Sequence, residues 1–197
     1  MNFDDAIRGA MPDPEECRRR AREQRAAYPG LSDEQLVERV VTTAKRWAAA
    51  YGVGSGVASN PLAMVPAAAA DMVLTMRTEA FLIGVVAAIL EPSSLDDRDG
   101  FHADILAVMF PNAVSQAFRE MGVQAGKTTT RVLIRKYISG SLLKAIIAFA
   151  AKYLGIKLTQ RAIISKTVPL VGAAIGATWN WVEVERCGRR AVKHYQA

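Results

Sequence analysis

Apolar residues recur at three- and four-residue spacing through "SDEQLVERVVTTAKRWAAAYG" (32–52), where Leu36, Val40, Ala44, Trp47 and Tyr51 share one helical face. Ser32 and Gln35 form a capping box ahead of that face, and Gly52 suits the C-terminal cap. A second helix is predicted over "DPEECRRRAREQRAAYPG" (13–30), with Asp13 as N-cap, Pro14 at the first helical position and Pro29-Gly30 as the stop. "DMVLTMRTEAFLIGVVAAIL" (71–90) reads as a mostly apolar helix halted by Glu91-Pro92. "KTTTRVLIRKYISGSLLKAIIAFAAKYLG" (127–155) reads as one long helix that turns apolar almost all round after Gly140. Between these lie an acidic loop, a short helix ending near Phe110-Pro111 and another over 112–121. A last helical region is expected from Thr159 to about Tyr195, bent at Pro169. No stretch alternates apolar and polar residues between turn signals. The fold expected is therefore all-α: a compact multi-helix bundle with Gly/Ala-rich close-packed helices and one Gly/Pro-rich hairpin-like segment. Residues 1–30 form a charged helical arm, the one plausible detachable piece, and 31–197 a single domain.

Two stretches break the amphipathic pattern. From Trp47 to Ala70 there is no charge, but Gly, Ser, Asn and two prolines make a poor spanning helix. "VPLVGAAIGATWNWV" (168–182) is also uncharged and too short to span comfortably. Its Gly172 and Gly176, with Ala173 and Ala177, make a small-residue stripe that lets another helix approach closely. The stretch is thus expected to be a helix packed through Gly172, Ala173 and Gly176.

Charge sharpens the picture. Residues 127–197 carry 13 Lys/Arg against Glu183 and Glu185, a net +11, while residues 1–126 carry 12 against 17 acids, a net −5. The surplus points to an anionic partner, a phospholipid surface or nucleic acid. The lysines lie scattered along apolar helices without aromatic interleaving or a reading-helix motif, which argues against nucleic acid. Lys127, Arg131 and Arg135 are spaced four apart, and Arg186, Arg189, Arg190 and Lys193 cluster within two turns. These seven are the candidate lipid-binding residues, expected to present charge without burying it. Cys17 and Cys187 have no CxxC spacing and read as reduced thiols. "MNFDDAIRGAMPDP" has two acids where a secretory signal needs a basic region, so the expected location is the cytoplasm, peripheral to the inner face of the cell membrane.

No catalytic signature is complete. "GVQAGKTTT" (122–130) has three residues, not four, between Gly122 and Gly126-Lys127, and follows a helix where a phosphate loop needs a strand. "LDDRDGFHADIL" (95–106), aligned on Gly100 as a calcium loop, puts Leu95 and Leu106 where oxygen ligands are required. His102 near Asp104 makes at most two metal ligands, and His194 sits in the basic tail. No catalytic residue, metal site or cofactor is assigned. Asp71, between "PAAAA" and "MVLTM", would be costly to bury unpaired. It is expected to be buried, as an ion pair with Lys166 first in line or as a helix N-cap.

"YGVGSGVASNPLAMVPAAAADMVLTMRTEAFLIGVVA" and, much later, "LTQRAIISKTVPLVGAAIGATWNWVEVERCGRRAV" together resemble the EcsC family of bacterial proteins. The first motif is carried by Gly52, Gly54, Gly56, Pro66 and Asp71. The second is carried by Lys166, Pro169, Val171, Gly172, Ala173, Gly176, Ala177 and Asn180. The family's Tyr-Gly-aromatic-Asp motif is replaced here by "ILEPSSLDDRDG", so no role attached to it transfers. The family takes its name from association with an ABC-exporter operon. The resemblance implies a cytoplasmic, membrane-associated helical protein and no established reaction. The leading expectation is a non-catalytic protein that binds a membrane surface or lipid, as a transporter or envelope accessory. The alternatives are a helical scaffold that self-associates through its glycine stripes and a hydrolase using Asp71.

Overall fold

The computed structural model describes residues 2–56, 61–123, 130–137, 139–167 and 172–196, and the side chains of 2–51, 69–123, 131–137, 139–156 and 177–196. Among the described residues there are nine α-helices and no strand: α1 (Phe3–Ala10), α2 (Pro14–Ala27), α3 (Asp33–Gly56), α4 (Pro61–Leu90), α5 (Arg98–Met109), α6 (Pro111–Glu120), α7 (Thr130–Tyr137), α8 (Gly140–Thr167) and α9 (Gly172–Tyr195). A 3-10 turn over Pro92–Leu95 links α4 to α5. The all-α bundle expected from periodicity is the fold.

Several ends obey their sequence signals. The Asp13 side chain accepts from the N–H groups of Glu15 and Glu16, and Pro14 opens α2. Gln35 Oε1 accepts from Ser32 N at 2.9 Å and Ser32 Oγ from Gln35 N at 3.3 Å, completing the capping box of α3. Other boundaries move. α3 continues through Gly52 and Gly54 to Gly56, so Gly52 is not its cap. α4 begins at Pro61, ten residues before Asp71, so it passes through Pro66 and Asp71 is interior rather than an N-cap. The long helix expected over 127–155 is two: α7 stops at Tyr137, and Ser139 Oγ accepts from Leu142 N to start α8. That second start holds because a serine hydroxyl satisfies an N–H that continuous helix would have bonded to a carbonyl. α8 then runs to Thr167, so 159–167 belongs to it and not to α9. Pro169 and Lys127 lie outside the described residues.

The short helix α5 forms the axis. Phe101 and every residue from Ala103 to Met109 are buried, because α4, α6, α7, α8 and α9 all pack around it. An apolar segment of this length, polar beyond its capped start only at Asp104, is stable when surrounded on all sides. The N-terminal segment is no detached arm: Ile7 and Cys17 are fully buried in the common core. α2 crosses α4 closely at Gly84, where an added Cβ would lie 2.5 Å from Cys17 Sγ.

α3, α4 and α9 form one layer of the bundle: α9 packs along α3, and both pack on α4. Lys45 Nζ meets Glu185 at 3.4 Å and sits 4.5 Å over the Trp181 ring. Further down, a Cβ on Gly188 would lie 2.8 Å from Val41 Cγ2. These pairs run in opposite directions along the two chains, so α3 and α9 are antiparallel. The close approach expected at Gly172 and Gly176 falls on side chains outside those described; the described one is at Gly188. Gly188→Leu should cost about 1–3 kcal/mol by overpacking the stiff Val41. Urea denaturation measures it, and pairing Gly188→Ala with Val41→Ala should remove the clash and leave the helix-propensity gain.

Candidate lipid interface and its buried polar ties

Asn180 is the residue on which the α3–α4–α9 layer closes. It is buried, as is Asp71. Its Nδ2 donates to the Ala48 carbonyl at 3.0 Å and to Asp71 Oδ1 at 2.9 Å. One primary amide thus ties three helices. Asp71 is buried as expected, and one donor to it is the amide of Asn180, a residue of the second motif; the Lys166 side chain lies outside the described residues. Beside the tie is a small cavity of about 80 Å³, lined by Thr75, Glu79, Glu183 and Arg190 among others. Thr75 Oγ1 is buried there without a hydrogen-bond partner among the described residues. The cavity is large enough for water and too small for an organic ligand of ordinary size.

The tie sets a level along the bundle. Trp47 and Trp179 each adjoin one of its members in sequence, and Leu74 is three residues from Asp71, so all three lie within about one turn of it. All three are exposed, Trp47 at 60% and Trp179 at 40%. From that level onward α3, α4 and α9 carry no charged residue except buried Asp71. α3 ends at Gly56, α4 begins at Pro61 and α9 at Gly172, and the antiparallel register brings these helix ends to the same end of the layer. The uncharged helical stretches 47–56, 61–70 and 172–182, far apart in sequence, are therefore neighbours. Gly52, Gly54, Gly56, Pro66, Gly172 and Gly176 belong to the helical backbone of this end, and their surroundings lie outside the described side chains. α8 reaches it carrying Lys157, Arg161 and Lys166.

The candidate cations divide. Arg186, Arg189, Arg190 and Lys193 are exposed on one face of α9. Arg189 approaches Glu185 at 3.8 Å. Arg131 and Arg135 do not present free charge. Both bond Glu91, Arg135 at 2.8 Å, and the Arg131 side chain is only 13% exposed. The reason is the turn after α4, which puts a carboxylate directly beside α7.

Glu91 belongs to a buried polar group that the sequence does not reveal. The Arg131 guanidinium lies 5.1 Å from the ring centre of Tyr195. The Tyr195 hydroxyl is buried and has no hydrogen-bond partner among the described residues. Burial, then Asp104, pushes this phenol well above its ordinary value. Asp104 pairs with His194 at 2.9 Å. The expected neighbour His102 instead meets the Pro12 carbonyl at 3.4 Å, and burial lowers its pKa. Asp104 and His194 are 90 positions apart, and no local pattern links them. Among the described residues no three His, Cys, Asp or Glu gather as a metal site would need. Cys17 and Cys187 are free and buried. Burial first, then Glu16 and Asp13, pushes the Cys17 thiol up to about 12, which makes it an inert packing group.

No family model, curated protein or solved structure matches the chain.

Removing the Asn180 amide takes a donor from a buried carboxylate. Asn180→Ala should cost about 1–3 kcal/mol, read from denaturant midpoints; unchanged stability would show that the three-helix tie is not stabilising. Glu91 supplies a pH test. Burial opposes its ionisation, but hydrogen bonds and charge from Arg131 and Arg135 outweigh burial and hold its carboxyl below the ordinary 4.5. Its contribution to stability is complete above that unfolded value and is lost as the pH falls through the lower folded one. Glu91→Gln should therefore flatten the acid limb of Tm against pH. It should also cost about 1–3 kcal/mol at neutral pH, since Arg131 loses its counter-ion.

Proposed function

We propose that this is an EcsC-like, non-catalytic peripheral membrane protein that seats the uncharged end of its bundle in the anionic inner face of the cell membrane. The observation that carries the reading is the meeting of the uncharged helical stretches 47–56, 61–70 and 172–182 at one end, below a level marked by exposed Trp47, Leu74 and Trp179. Tryptophans at such a boundary suit the headgroup region, one face apolar and the indole N–H wet.

Depth favours dipping over spanning. From Ala48 to Gly56 is about 12 Å of helix, and from Asp71 back to Pro61 about 15 Å, at 1.5 Å per residue. That is about half of a hydrocarbon core roughly 30 Å thick. Among the described residues one helical stretch, Ala69–Leu90 of α4, is long and apolar enough to cross a membrane. Since 61% of it is buried inside the protein, its apolarity serves packing. The cations of α9 begin at Arg186, about 9 Å along the helix beyond Asn180 and away from the seated end, so their attraction to an anionic leaflet is long-range and weakens as salt rises. Arg131 and Arg135 contribute little, being engaged by Glu91.

The test is flotation with neutral and anionic vesicles at low and high salt. The protein should float with anionic vesicles. Combined Arg186→Glu, Arg189→Glu and Lys193→Glu should weaken that recruitment at low salt and change it little at physiological salt, where screening acts within about 8 Å. Bromine-labelled acyl chains should quench Trp47 and Trp179 and leave Trp181, stacked beneath Lys45, unaffected. A protein that floats with no vesicle ends the membrane reading and leaves the helical scaffold.

A further inference from the structure

A groove of about 440 Å³ runs between α2, α3 and α4. It adjoins the membrane-seating end at Trp47, Tyr51 and Leu74, but its occupancy does not rest on that reading. Leu82 and Val85, both buried, form its floor, and Val40, Phe81 and Trp47 its sides. Arg20 and Arg77 are the charged residues of its lining, and among the described residues no carboxylate lines it. Arg20 leans on Glu23, outside the groove, at 3.1 Å. Arg77 is exposed and makes no hydrogen bond or ion pair with any described residue.

Volume and charge together select an occupant. From Val40 to Tyr51 the groove covers three helical turns, about 16 Å at the helical rise. That length and an open volume of about 440 Å³ accommodate a single extended polymethylene chain. A two-chain phospholipid would leave one chain in water, which opposes binding in proportion to the apolar area exposed. The total volume lies within the roughly 300–1,000 Å³ of small-molecule sites. The head must be anionic, because two guanidinium groups without an acid between them would repel a cation and leave a neutral group without a strong partner. Guanidinium matches a carboxylate in shape as well as charge.

We infer that this groove binds one long-chain fatty acid, its chain laid over Leu82 and Val85 and its carboxylate held by Arg77 with Arg20. Binding is reversible and no bond is made or broken.

Calorimetric titration of the full chain with dodecanoate below its micellar concentration tests the inference. Dodecanoate should bind once per chain, while dodecanol and dodecylammonium should bind at least tenfold more weakly. Arg77→Ala should weaken dodecanoate about tenfold or more, the loss of a charged hydrogen bond. The exposure of Arg77 and its lack of partners among the described residues keep that variant folded, which circular dichroism verifies. Ala44→Phe, which fills the groove from α3, should abolish binding. No saturable binding, equal affinity for dodecanol, or an unchanged affinity in Arg77→Ala would overturn the proposal. So would a protein that sediments as a dimer, releases monomer on Ala44→Phe and ignores dodecanoate, for then a second copy fills the groove. Vesicle flotation of the same variants separates the two readings: loss of dodecanoate with flotation intact concerns the groove alone.

Discussion

A single buried amide holds the register of three helices. The Ala48 carbonyl has a lone pair to spare beyond its helical bond, and the Asp71 carboxylate needs a donor once water is excluded. Asn180 serves both. A slip of one residue in α9 would displace it by about 1.5 Å and turn it by about 100°, leaving an acceptor on each neighbour without this donor. Apolar packing alone would resist such a slip weakly here, because the facing surfaces are rich in alanine and glycine and offer few shapes to interlock. A polar group that can be satisfied in one alignment supplies the missing specificity. The contacts further along the layer are set by it: Lys45 between Trp181 and Glu185, then Gly188 against Val41.

The same alignment decides what the surface looks like. Neither uncharged stretch spans a bilayer by itself, and each alone would pass as ordinary core. Brought to one end by the antiparallel register, they make that end uncharged on three helices, with exposed indoles at its base. The opposite halves of the same helices carry Lys45, Arg77 and the cations of α9. The polarity of the molecule is axial, which no helix-by-helix measure of amphipathicity registers.

Local signals are legible in the sequence and long-range ones are not. Asp13-Pro14 and Ser32 with Gln35 describe bonds within four residues, so the chain itself states them. Burial of Asp71 is legible because an acid in an apolar run has few other fates. The break between α7 and α8 is hidden because Ser139 in an apolar pattern reads as a tolerated helix residue until its hydroxyl is seen capping Leu142. Gly52 misleads for the converse reason: a glycine that suits a C-cap is also what a close-packed helix interior uses. Asp104 with His194 and the α2–α3–α4 groove depend on segments brought together only by the tertiary fold. The spacing of Arg131 and Arg135 places them on one face, but it does not show that Glu91 occupies that face.

Internal pairing of this kind changes the weight of the chain's net charge. A surplus of +11 in residues 127–197 overstates the charge free at the surface, because Glu91 takes two of those arginines and Glu185 engages Arg189 as well as Lys45. Exposed cations without a hydrogen bond or ion pair to a described residue include Lys144 and Lys152 and, from the acidic half of the chain, Arg46 and Arg77. Arg77 is the one of these that lines the apolar groove. Trp47 and Leu74 stand both in the exposed level above the uncharged end and in the wall of that groove. A fatty acid leaving the bilayer along those two side chains would reach Arg77 within a turn of Leu74. Membrane seating and fatty-acid binding would then share an entrance, so a substitution at Trp47 acts on both while one at Arg77 acts on the groove alone.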